Sequence, residues 1–246
     1  MTKDQVYGSG QKVRPSEVSV SSGSKFIGAT FLYLALALVI TFSVVGIMGG
    51  LFNFALYKGN EASAQTFVTV FIVSLILYIP TLIWVRVAAL RNGRTVGPAF
   101  FLYSIVMGAL IAPICVIFDF WTIVIALGTT CLAFGAMALI AWTSKRNLST
   151  LGIIGSGLLL GALLLSLFNW IISLFTGFVA LNWLVSFLFF IAIILITIFD
   201  LHNVKRIAES GGGAKNIAML CALNLYVDFI YIFIRLLIII ASIRNK

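Results

Sequence analysis

Long uninterrupted apolar runs alternate along this chain with short polar segments, and the runs are too long for strands. A helix of about 20 residues crosses the roughly 30 Å hydrocarbon core of a bilayer, and transmembrane strands need only about ten alternating residues. The uncharged stretches therefore predict membrane-spanning helices. The first runs over 26–57, between Lys25 and Lys58, and the second over 62–85, closed by Arg86. The third covers 95–118 up to Asp119, and the fourth 120–144 ahead of Lys145 and Arg146. The 53 uncharged residues between Arg146 and Asp200 are too long for one crossing, since as one helix they would measure about 80 Å. Thr176, Gly177 and Asn182 supply a turn signal, which splits the stretch into spans near 150–175 and 182–204. After Gly211-Gly212-Gly213 a last run reaches about Ser242. The expectation is an all-α membrane protein of seven transmembrane helices over 25–246. It is preceded by a polar, Ser- and Gly-rich tail over 1–24 that reads as disordered and cytoplasmic.

Composition sharpens this. The chain is 62% hydrophobic and 9% charged, against roughly a quarter charged in a soluble domain, which excludes an ordinary soluble enzyme. Its net charge of +9 raises the question of a nucleic-acid partner. The basic residues do not cluster, however, and sit between apolar runs as loop charges do, so no nucleic acid is expected. With the N-terminus inside, twelve Lys and Arg fall on inner segments and three on outer ones, a strong positive-inside bias. The C-terminus is then outside, or inside if the last run is re-entrant. Cys115, Cys131 and Cys221 lack paired spacing and read as buried thiols, and one histidine excludes a multi-histidine metal site. No resident cofactor is expected.

The informative residues are ionisable groups inside spans, each costing about 2.5–3.5 kcal/mol at a helix centre. Asp228 sits within CALNLYVDFIYIFIRLL, flanked by apolar residues on both sides, and Asp200 lies near the end of the sixth span. At 1.5 Å per residue, Asp200 is about 7 Å from Lys205 and Asp228 about 19 Å from Lys215, a difference in depth. Two carboxyls in low dielectric cannot both ionise cheaply at close range, so such a pair shares a proton at lower pH and separates, or admits a cation, at higher pH. A hard cation such as Ca²⁺ would find two of its several oxygens there transiently. Arg235 follows Asp228 by two turns, either pairing with it or snorkelling outward. His202 either moves a pH response toward neutral or is a solvated interfacial residue. Pro80 and Pro113 predict kinks, GIIGSGLLLGALLL in the fifth span predicts close helix approach, and Trp121, Trp142, Trp170 and Trp183 fit an interfacial belt.

The segments FDLHNV (199–204) and LNLYVDFIYIFIRLL (223–237), with the junction AWTSKRNLSTLG (141–152), resemble the last two spans and the fourth-to-fifth junction of the Bax inhibitor-1-like family. The resemblance covers about 25–246. It implies six helices around a seventh and a bacterial inner-membrane location. It also implies a pH-sensitive Ca²⁺ leak whose paired-aspartate sensor matches Asp200 and Asp228, with an arginine at the inner end of the second span as a latch, here Arg86 or Arg91. Asn147 stands where the family has an acid and Tyr231 where many members have Asn. The alternative is a regulatory scaffold that binds a membrane protease or another membrane protein. An intramembrane aspartyl protease is disfavoured because Leu-Tyr-Val, not a glycine motif, precedes Asp228, and no enzymatic activity is expected.

Overall fold

The computed structural model describes residues 15–59, 61–91, 95–144, 148–176 and 182–244. They form seven helices: α1 (Pro15–Lys58), α2 (Glu61–Leu90), α3 (Val96–Val116), α4 (Phe120–Thr143), α5 (Ser149–Thr176), α6 (Asn182–Glu209) and α7 (Lys215–Arg244). All seven are long and apolar enough to cross a membrane, and no strand occurs among the described residues. The predicted turn at 177–181 and the junction residues 145–147 lie outside the described residues.

Three helices outrun the apolar spans that predict them, because a helix continues past a charge once its backbone leaves the hydrocarbon. α2 passes Arg86 to Leu90, and α6 passes Lys205 to Glu209. α1 begins at Pro15, so residues 15–24 of the expected tail are helical, while 1–14 lie outside the described residues. α1 is packed where residues 22 and 23 pass the α6–α7 turn. Gly23 is seated on the Ala208 carbonyl of α6, and a Cβ added at Gly212 would lie 3.2 Å from the Ser22 carbonyl.

The α6–α7 turn follows from its glycines. The Gly212 amide donates to the Ile207 carbonyl at 2.9 Å and the Gly211 amide to Ala208 at 3.2 Å. This paired closure requires a left-handed residue just past the helix, and Gly211 supplies it with φ of 104°. The α3–α4 turn closes differently. Asp119 caps α4 by accepting from the Thr122 amide, and Arg244 at the far end of α7 donates to Asp119 Oδ2 at 3.1 Å and to Thr122 Oγ1 at 2.8 Å. α7 is thus one continuous helix of 30 residues, about 45 Å long, ending beside the α3–α4 turn. A re-entrant last segment is excluded.

α7 packs against α1, α2, α3, α4 and α6, whereas α5 joins the bundle through α6. The resemblance implied six helices around the seventh; here five carry the contacts. Close approach occurs where glycine permits it. On α3, a Cβ at Gly108 would lie 2.7 Å from the Thr41 carbonyl of α1. On α5, one at Gly152 would lie 2.7 Å from the Phe199 ring and one at Gly155 2.9 Å from Ile196. The helices run on through Pro80 and Pro113, which leave the Ile76 and Ala109 carbonyls without their usual amide donors. Large apolar side chains stay exposed along α2, α4 and α5, where lipid covers them. Cys115 and Cys221 are buried as expected, but Cys131 is exposed, because its position falls on the outward face of α4.

Candidate functional site

Asp228 lies on α7 with only 7% of its surface exposed, and its Oδ2 has no hydrogen-bond partner. A buried polar atom without a partner costs about 1–3 kcal/mol, more when charged, so the residue is not explained by packing. Across from it α6 presents Asp200, whose charge interacts with Asp228, and the fully buried Thr197. The single Thr197 hydrogen is already donated to the Ile193 carbonyl at 2.8 Å. Thr197 therefore has only lone pairs left for a neighbouring group.

The extension of α6 removes about half of the depth mismatch expected from the sequence. Asp200 stands about 14 Å from the end of α6 and Asp228 about 20 Å from the start of α7, counted at 1.5 Å per residue. Asp200 is half-buried. The charge it meets from α2 is Arg86, which interacts through space without a direct ion pair. Arg91 is exposed at the end of α2, its amide bonded to Val87, and has no part in this cluster. Cys221 of α7 also lies beside Asp200. Groups from three helices thus converge on the acid pair. No group of three His, Cys, Asp or Glu placed to hold a metal ion is found among the described residues. A cation passing here would meet two carboxylates and complete its shell with water or carbonyls.

The other two candidates sit elsewhere. His202 is buried, with Nδ1 3.3 Å from the Ala141 carbonyl, so the solvated interfacial reading is wrong. A carbonyl only accepts, so Nδ1 carries the hydrogen. Lys205, one turn on, donates to the Trp142 and Ser144 carbonyls at 2.8 and 3.3 Å. Together they cover the last carbonyls of α4, where a cation also suits the helix dipole. Arg235 does not pair with Asp228 but reaches toward the start of α6. It is half-buried, donates to Ser186 Oγ at 3.2 Å and stands 5.8 Å from the Phe189 ring centre, because α6 offers it a hydroxyl and a π face inside the bundle.

Two further ties are invisible to sequence reasoning. Asn216 donates to the Ala89 carbonyl at 2.8 Å, fastening α7 to the end of α2. Tyr226, fully buried on the opposite face of α7 from Asp228, lies 2.6 Å from Thr41 Oγ1, which donates to the Ser104 carbonyl at 3.0 Å. Since Thr41 has spent its hydrogen, Tyr226 is the donor between them.

Comparison with known proteins agrees with this architecture. A family model described as inhibitor of apoptosis-promoting Bax1 matches residues 23–245. The inner membrane protein YbhL of Escherichia coli K12 is 30% identical over 201 residues, covering 77% of this chain and 84% of YbhL. An uncharacterized membrane protein of Streptococcus pyogenes serotype M6 is 28% identical over 205 residues, 80% of this chain and 88% of that protein. An uncharacterized protein of Borreliella burgdorferi is 29% identical over 161 residues, 63% and 66% of the two chains. Seven apolar helices and relatives named as membrane proteins make this a multi-pass inner-membrane protein. With nearly the whole seven-helix unit matched, the chain belongs to the Bax inhibitor-1-like family.

Proposed function

We propose that this protein is a pH-sensitive cation leak, with Ca²⁺ as the ion, whose opening is controlled by Asp200 and Asp228, and that it is not an enzyme and holds no resident cofactor. The observation that carries the reading is the buried, unpartnered Asp228 carboxylate oxygen facing a second membrane-embedded acid. When the pair shares a proton, α6 and α7 stay together. When both acids ionise, they repel each other or take a cation between them, and the change biases helix packing. Arg86 acts as the latch, since its charge reaches Asp200 without bridging it. His202 and Arg235 act by holding α6 to α4 and α7 to α6. The excess of basic residues on one set of segments supports an N-terminus in the cytoplasm.

Liposomes containing the purified protein test this. Ca²⁺ entry that exceeds protein-free vesicles and varies with pH is the expected result. Vesicles with correctly folded protein and no excess entry at any pH would remove the leak reading and leave a scaffold that binds a membrane protease or another membrane protein.

A further inference from the structure

On its side away from α7, Asp200 lines a second space. A cleft of about 450 Å³ opens between α5 and α6, bounded by Ser149, Gly152, Ser156, Phe199, Asp200 and Arg206 among others. Four of these are polar or charged, in helices that otherwise show apolar side chains to lipid. Beside the cleft, α5 carries glycine where α6 comes closest. Phe199 lies flat over Gly152, where a Cβ would stand 2.7 Å from its ring. Ser149 is the first residue of α5, so the polar lining begins at the end of the bundle that also holds the α6–α7 turn. Arg206 stands at that mouth, 3.5 Å from Ser149 Oγ.

We propose that this cleft is a hydrated entry through which water, protons and small inorganic cations reach Asp200 from the α6–α7 turn end alone. Its functional weight rests on the leak reading above, because it makes the pair sense the solution on that one side. The groups facing Asp200 are Asp228 and Cys221 from α7 and Arg86 from α2. Arg206 shares the cleft, α5 lines it with Ser149, Gly152, Ile153 and Ser156 and so adds no charge, and His202 and Lys205 are turned toward α4. The arrangement combines a positive rim with an acidic floor. Arg206 slows cation entry, and Asp200 holds what enters.

Thiol accessibility tests this without any flux. In a background with Cys115, Cys131 and Cys221 replaced, Ser156→Cys adds a near-isosteric thiol inside the cleft. Ile154→Cys adds one on the same helix at a position that is 48% exposed but outside it. A charged, membrane-impermeant methanethiosulfonate needs a hydrated thiolate. It is expected to modify Ser156→Cys at least about tenfold faster than Ile154→Cys, and only from the side of the α6–α7 turn. Ser149→Cys at the mouth is expected to react from that side too. Adding Arg206→Gln is expected to speed the cationic reagent at Ser156→Cys more than the anionic one. Equal rates at 154 and 156, or a Ser156→Cys as inert as a lipid-facing thiol while Ser149→Cys reacts, would overturn the proposal and assign the cleft to lipid. Labelling as expected in a protein that shows no Ca²⁺ flux would leave the cleft standing and remove the leak.

Discussion

The two sides of α7 treat a buried polar group in opposite ways at nearly the same depth. Toward α1 and α3, Tyr226 donates to Thr41, Thr41 donates to Ser104, and Gly108 lets the helices close tightly around them. Toward α6, only two residues along the helix, Asp228 keeps a buried oxygen without a partner and faces a second acid. Two residues turn a helix by about 200°, so one short segment, LYVD, builds both environments. A satisfied chain of this kind rigidifies a bundle, whereas an incomplete one is costly. The Tyr226–Thr41–Ser104 chain is read as the fixed part of the structure and the acid pair as the part that changes state; the buried Tyr103 hydroxyl beside Tyr226 also lacks a partner.

The largest expected effect comes from the unsatisfied side. Asp200→Asn removes one of two carboxylates, and since one pKa unit of interaction corresponds to a factor of ten, Ca²⁺ entry at neutral pH is expected to fall by about tenfold with little change in thermal stability. Flux and melting in detergent, read on the same preparation, check both halves.

On the satisfied side the expectation reverses. Gly108→Ala places a Cβ 2.7 Å from the Thr41 carbonyl and 2.8 Å from the Val44 Cβ, and such overpacking costs about 1–3 kcal/mol. Thermal unfolding is expected to drop while the pH midpoint of flux holds. A moved midpoint would show that the two sides are not separable. Tyr226→Phe is milder, removing one donor for about 1 kcal/mol. It too should lower the melting temperature without altering the pH profile.

The smallest effect belongs to the far end of α7. Asp119 lies outside the spans, and its hydrogen bonds from Thr122, with Arg244 adding its charge, hold its carboxyl below the usual carboxylate range. A group whose value is lowered on folding contributes stability above its unfolded value and loses it as pH falls through the folded one. The Arg244 tie is therefore expected to persist from neutral to mildly acidic pH and to loosen only under strong acid. A spin label at 243, in a background without the native cysteines, should gain mobility only there, and in Asp119→Asn should be mobile throughout.

The seven helices were legible because an apolar run of membrane length has one physical outcome. The two aspartates were legible because an acid inside such a run is costly. The ends were not, since charges mark where apolar character stops and not where helical hydrogen bonding stops. That is why α6 reaches Glu209 and α1 starts at Pro15. Partners across helices were equally hidden. Nothing near His202 in sequence announces the Ala141 carbonyl, nor does Arg235 announce Ser186 and Phe189. Of the two candidate latches, only packing separates Arg86 from Arg91, because both follow the same apolar span.

The most direct test of the paired-acid account is the pH profile of Ca²⁺ entry into liposomes carrying either the native protein or Asp228→Asn. Asn keeps the size of the side chain and one acceptor but cannot titrate. The account expects a pH-dependent flux in the native protein that Asp228→Asn abolishes or renders flat across pH. An Asp228→Asn protein whose flux rises and falls with pH as the native protein's does would contradict it.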